Sequence, residues 1–272
     1  MLPHRSGSGP AAVFLPGADL VGLDYLTVHD RIRGFTTSVV YDRAGTGWSD
    51  PVDLPRTGAE VVDELHGLLH ACGVAAPCVF VAHSQGGAYA RRFAQRFPDE
   101  VAGLVSLEGF HGDWDTHMPP GARQREAERT PEPELTEEVL EQFRGLLTRT
   151  YADFPAGVGE ILVECHLSPE WLAAGARERN VADLADELRN AGDVPDTPLI
   201  VLVGLGFGSG QELLLPPEAP KRLNGGRRAL FTAVTEAADH GELRLLGDAA
   251  HSTIHVDRPD AVVRDLLDRL RR

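Results

Sequence analysis

Six short stretches of the chain are almost unbroken in apolar residues: AAVFL (11–15), TSVVYD (37–42), CVFVAH (78–83), AGLVSLEG (102–109), PLIVLVG (198–204) and ELRLLG (242–247). Their length suits strands. The lack of strict apolar–polar alternation predicts strands covered on both faces. Helical spacing of apolar positions predicts helices over 57–72, 85–97, 226–238 and 259–271. Strands separated by helices of this length predict a parallel sheet with right-handed crossovers.

The rhythm breaks once. Between Gly109 and Pro198 no strand pattern occurs. A Pro-rich, acidic stretch, MPPGARQREAERTPEPEL, leads into helical patterns near 136–150, 157–166, 169–179 and 181–191. Thr136, followed by Glu138 and Leu140, suits the start of the first of these helices. The expected fold class is α/β: a mostly parallel, doubly wound sheet with an inserted helical cap. The core comprises 1–109 and 198–272, and the cap 110–197. Internal repeats and low-complexity tracts are not evident.

Composition narrows the function. The chain carries 26 basic and 41 acidic side chains, a net charge of −15. That balance speaks against a protein that tracks phosphates on nucleic acid and against docking on an acidic membrane. Three cysteines, Cys72, Cys78 and Cys165, match no zinc or CxxC spacing. With no basic start followed by a long apolar run near the N-terminus, and no apolar run approaching a membrane span, the expected location is cytoplasmic. Abundant Ala, Arg, Gly and Asp fit a GC-rich bacterial gene.

Chemistry concentrates at AHSQGG (82–87). Ser84 falls just past the strand CVFVAH, at the carboxyl edge where open parallel sheets place function. A nucleophile on a sharp strand-to-helix turn needs small residues two before and two after it. Ala82 and Gly86 meet that need, and Gly87 adds space. Read alone, Ser84 also suits a helix-capping serine. A nucleophilic serine needs a base oriented by a carboxylate. His251, in GDAAHSTIHVDRPDAV, follows the last predicted strand at the same edge, with His255 four residues on.

With these residues in view, the chain resembles the α/β-hydrolases over nearly its whole length, with esterase-, lactonase-, iminopeptidase- and haloperoxidase-like motifs. YDRAGTGWSD (41–50) is similar to a D-R-x-G-x-G-x-S loop of that family. AHSQGGAYARRFAQRFPDEVAGLVSLEG resembles its nucleophile elbow with the helix and strand that follow, and GDAAHSTIHVDRPDAV resembles its histidine ending. The resemblance implies Ser84 as nucleophile and His251 as base. It implies oxyanion donors from the amides of Gln85 and of Ala18, after Gly17 in the turn LPGAD. Asp19, beside that turn, either points away from an oxyanion or contacts substrate. The two antiparallel strands that usually begin this fold are expected to be shortened or absent, because about ten residues precede AAVFL.

The acid is less clearly written. Glu108, at the end of AGLVSLEG, is favoured, since a carboxylate in an apolar run needs a partner. Glu212, in LGFGSGQELLLPPEAP, and Asp113 are the alternatives. Phe110, Trp114 and Phe207 lie on loops at the carboxyl edge and are candidates for an apolar substrate pocket, with Asp19. GLGFGSG departs from a dinucleotide loop at Ser209, and DRAGTGWSD lacks a P-loop ending. Asp42 and Arg43 of that loop are expected in local hydrogen bonds. His111, Asp113 and Asp115 have no metal-site spacing. The expected protein is a serine hydrolase of a small, largely apolar ester, lactone or thioester, with no metal or cofactor. Alternatives are an acyltransferase or iminopeptidase-like amidase with the same triad, and a non-hydrolytic cyclase or ligand-binding protein on the same scaffold. The expected partner is a small-molecule substrate; oligomeric state is left open.

Overall fold

The computed structural model describes residues 1–127, 135–192, 196–207 and 219–270. Among them, seven strands form one sheet: β1 (Leu2–Gly7), β2 (Ala11–Leu15), β3 (Thr37–Asp42), β4 (Cys78–His83), β5 (Val101–Leu107), β6 (Leu199–Gly206) and β7 (Gly241–Ala250). Their order is β1-β3-β2-β4-β5-β6-β7. Every neighbouring pair is parallel except β1 and β3, which run antiparallel.

The unbroken apolar runs have a direct cause. Along β4, Cys78, Phe80 and Ala82 enter the hydrophobic cluster on one face, while Val79 and Val81 enter that on the other. The first face is covered by α2 (Gly58–Ala71) and α3 (Gln85–Arg96); the second by α1 (Leu26–Ile32) and a C-terminal helix, Pro259–Leu270. Helix α2 starts at a reciprocal cap: the Thr57 side chain accepts from the Glu60 amide, and Glu60 accepts from the Thr57 amide.

Of the two antiparallel strands expected to be shortened or absent, the described residues hold one, β1, with six residues. Its sequence, LPHRSG, is polar because it lies at the sheet edge, where the backbone ladder to β3 holds it rather than a buried side-chain row. Helix α1 also lacked a clear sequence signal; it is a seven-residue helix that continues a 3₁₀ turn at Gly22–Tyr25.

Between β5 and β6 the described residues are helical: α4 (Trp114–His117), α5 (Gln124–Ala127), α6 (Glu137–Thr150), α7 (Val158–Leu167), α8 (Pro169–Glu178) and α9 (Val181–Asn190). Thr136 caps α6 by accepting from the Val139 amide. Helix α9 packs Leu184, Ala185 and Leu188 into the first-face core. Helices α7 and α8 build a cluster of their own with Tyr151, Phe154, Leu162, Val163 and Trp171. A buried polar contact ties this cluster to the core: Tyr151 Oη donates to Asp24 Oδ1 at 2.6 Å, and His166 Nε2 lies 3.0 Å from the same oxygen. The remaining helices are α10 (Ala219–Glu236), α11 (Ile254–Asp257) and α12 (Pro259–Leu270). Among the described residues, no helix is long and apolar enough to cross a membrane.

Candidate active site

Ser84 stands between β4 and α3 with φ 47° and ψ −124°. An L-residue occupies that region only when its surroundings impose it. Here the Ser84 carbonyl accepts from the amides of Gly87 at 2.8 Å and Phe110 at 2.6 Å, and the Ser84 amide donates to Leu107 O at 3.3 Å. Close packing makes the glycines obligatory. A Cβ on Gly86 would lie 2.2 Å from Leu15 O, and one on Gly87 2.5 Å from Gly109 Cα. Ala82 is accommodated in the core at 2% exposure, so alanine suffices where many such turns carry glycine.

His251 begins the 3₁₀ turn that follows β7. Asp257 shapes this loop, accepting from the Ala250 amide at 3.0 Å and from Thr253 Oγ1 at 2.6 Å. His83, directly before Ser84, is buried and donates from Nε2 to the His251 carbonyl at 2.8 Å. Burial holds the His83 imidazole well below its ordinary pKa, so it stays neutral. The two predicted neighbours meet: His251 Nε2 lies 3.1 Å from Ser84 Oγ.

Glu108 follows β5 with φ 49° and is 1% exposed. Its Oε1 lies 3.3 Å from His251 Nδ1, a close contact that falls outside hydrogen-bond geometry. Oε2 accepts from the Gly204 amide at 3.2 Å. A buried carboxylate also needs a permanent countercharge. Arg227 of α10 supplies it, with Nε 2.9 Å from Glu108 Oε1 and its guanidinium over the Phe207 ring. Arg227 carries no motif, and only the burial of Glu108 hinted that such a partner must exist.

Asp113 pairs with His111 Nδ1 at 3.7 Å and not with His251. Glu212 lies outside the described residues.

The turn LPGAD lies against the elbow: a Cβ on Gly17 would be 3.0 Å from Ser84 Cβ and 2.7 Å from His83 Nδ1. That proximity puts the amide of Ala18 in the same neighbourhood as that of Gln85, the first residue of α3. Arg43 holds this turn in place. Its Nη1 donates to Pro16 O at 2.6 Å and its Nη2 to Gly17 O at 2.9 Å. The same guanidinium grips Glu178 at the end of α8, Nε to Oε1 at 2.5 Å and Nη2 to Oε2 at 2.8 Å. Gln85 adds a bond from its side-chain amide to Glu178 O at 3.2 Å. Arg43 therefore acts over a long range, unlike the local role its loop suggested. Asp42 is local only in part: it accepts from the Trp48 amide within its own loop and from the Gly22 amide 20 positions away.

Asp19, with φ 62°, turns toward the inserted helices: Oδ2 accepts from Arg179 Nη2 at 2.6 Å, and the carboxylate packs against Gly175. That contact accounts for a carboxylate beside this turn. Trp114 donates from Nε1 to Ala122 O, and Phe110 lies in the first-face core. A cleft of about 970 Å³ runs between residues 45–51 and helices α7 and α8, with Trp48, Ile161 and Trp171 in its wall. A second, of about 470 Å³, lies over β5 between α3 and α10, with Phe110 in its wall. Neither wall includes Ser84 or His251.

Comparison with known proteins bears on the fold and the family. The sequence model of the alpha/beta hydrolase family matches residues 12–265. A thermophilic esterase from Thermogutta terrifontis superposes with TM-score 0.64 at 19% identity, over 99% of this chain and 92% of that one. Est816, described as an N-acyl homoserine lactone degrading enzyme, superposes with TM-score 0.65 at 20% identity, over 98% and 95%. An uncharacterised protein of Schizosaccharomyces pombe is 41% identical over 73 residues, which are 27% of this chain. The matched stretches span only 14% of that protein and 44% of a second curated relative, the uncharacterised protein YqjL of Bacillus subtilis, which is 32% identical over 111 residues, 40% of this chain. The match over almost the whole length, together with this sheet order, shows that the chain belongs to the alpha/beta hydrolase family.

Proposed function

We propose that the chain is a cofactor-free serine hydrolase that cleaves an ester, lactone or thioester of a small, largely apolar molecule through an acyl-enzyme. The observation that carries this reading is the position of the His251 imidazole, with Nε2 3.1 Å from Ser84 Oγ and Nδ1 3.3 Å from Glu108 Oε1.

The proposed steps use these positions. Ser84 Oγ attacks the carbonyl carbon as its proton passes to His251 Nε2. Glu108 stabilises the imidazolium that forms. The amides of Gln85 and Ala18 receive the oxyanion. Collapse expels the alcohol or thiol, which takes the proton from His251 and leaves the acyl group on Ser84. A water then gives its proton to His251 and attacks the acyl carbon. The acid leaves, and the proton returns to Ser84.

Labelling with a fluorophosphonate probe tests the nucleophile. The wild-type protein should be modified at Ser84 and lose activity on p-nitrophenyl acetate in proportion. The Ser84→Ala protein should neither label nor turn over the ester. Ester turnover that survives in Ser84→Ala would overturn the reading.

A further inference from the structure

The far edge of the sheet, at the amino ends of the parallel strands, carries a cluster unrelated to Ser84. His66 and His70 lie four residues apart on α2, so their side chains project from one face of the helix. Glu100 belongs to the 3₁₀ turn Pro98–Glu100 that leads into β5. Their polar atoms converge. His66 Nε2 lies 2.9 Å from Glu100 Oε1, His70 Nε2 lies 3.0 Å from His66 Nε2, and His70 Nε2 lies 3.5 Å from Glu100 Oε2. The His66 ring is fixed by stacking on Phe97, with centroids 3.9 Å apart and planes at 6°.

Protons cannot satisfy this triangle when the imidazoles are neutral and the carboxylate ionised. Each contact needs one donor and one acceptor, and the carboxylate is an acceptor only. If both Nε2 atoms carry hydrogen, they oppose each other. If one does, the other faces the carboxylate lone pair to lone pair. A cation at the centre removes the conflict, because it takes a lone pair from all three. The spacing also suits a metal. Ligand atoms about 2.0–2.1 Å from an ion stand about 2.9 Å apart at right angles and about 3.3 Å apart at the tetrahedral angle. Two imidazoles and a carboxylate favour late first-row divalent ions.

We propose that His66, His70 and Glu100 form a binding site for a late first-row divalent cation such as Zn²⁺, which joins α2 to the turn before β5. His70 is 62% exposed, which leaves room for water to complete the coordination. The site stands at the opposite edge of the sheet from the elbow, so its effect is on stability rather than on chemistry.

The test is calorimetric titration of Zn²⁺ into untagged His251→Ala protein, which lacks the active-site imidazole as a competing ligand. One equivalent should bind and raise the melting temperature. Adding either His70→Ala or Glu100→Gln should weaken binding about tenfold or more. The exposed position of His70 lets its variant fold without metal. No binding by the His251→Ala protein, or undiminished affinity in either added variant, would overturn the proposal.

Discussion

Arg43 and Glu178 stand 135 positions apart and form a buried two-pronged ion pair, with Nε–Oε1 at 2.5 Å and Nη2–Oε2 at 2.8 Å. Arg43 also donates to the carbonyls of Pro16 and Gly17, so one guanidinium locks the end of α8 onto the turn beside Ser84. Removing one member of a buried pair strands the other and costs about 3–5 kcal/mol. Arg43→Met should therefore lower stability by that order, as read by chemical denaturation. The double variant Arg43→Met/Glu178→Met should regain much of the stability. Its kcat/KM on p-nitrophenyl acetate should stay about 100-fold low, because a turn displaced by an ångström loses its alignment. Recovery of activity in the double variant would show that the turn does not depend on Arg43.

Glu108→Gln keeps the shape of the side chain and removes its charge beside His251. In a Ser-His-acid triad the amide stabilises the wrong tautomer, and kcat should fall on the order of 10⁴-fold. Glu212→Gln should leave kcat within about threefold, since Glu108 already stands beside His251 Nδ1. A large loss in Glu212→Gln alone would assign the acid elsewhere.

The elbow gives a paired prediction. Gly86→Ala places a methyl 2.2 Å from Leu15 O, a backbone atom that cannot give way without moving β2. Thermal melting should show a loss of more than about 2 kcal/mol or failure to fold. Ala82→Gly, which restores the commoner glycine, should cost about 1 kcal/mol through the lost buried methyl and added backbone freedom, with ester turnover retained.

Tyr151→Phe removes the hydroxyl that donates to Asp24 at 2.6 Å between the inserted helices and the core. The buried carboxylate loses a donor, and urea denaturation should report a loss of about 1–3 kcal/mol. An unchanged midpoint would mean that the contact carries no net stability.

Acid should destabilise the fold through buried histidines. Burial lowers His255 from 6.5 to about 4. Between those values the unfolded chain binds a proton that the folded chain refuses, so stability is full above about pH 6.5 and falls as pH drops toward 4. At about 1.4 kcal/mol per unit the loss approaches about 3 kcal/mol for this residue. His255→Phe, which keeps a ring against Tyr25, should flatten the fall measured by urea denaturation at pH 7 and pH 4.5. An equally steep fall in that variant would assign the acid sensitivity to other groups.

Much of this fold was legible before folding was considered. Runs such as CVFVAH are apolar on both faces because both faces are covered, and that signature survives in one dimension. LPHRSG at β1 carries no strand signature because an edge strand is held through its backbone, which leaves no apolar pattern. Ser84 and His251 were readable because each sits at a strand end, a place that local sequence marks.

By itself, the sequence determined the alternation of strands and helices, the insertion after β5, and the small residues that let Ser84 occupy its strained turn. These are local properties, set by spacing and side-chain size. Only the tertiary structure decided which carboxylate faces His251, which arginine balances it, and what Arg43 and Asp19 bind. Those contacts join residues far apart in the chain. They depend on strand register and on how the inserted helices seat against the carboxyl edge, and neither quantity is written in any short stretch of residues.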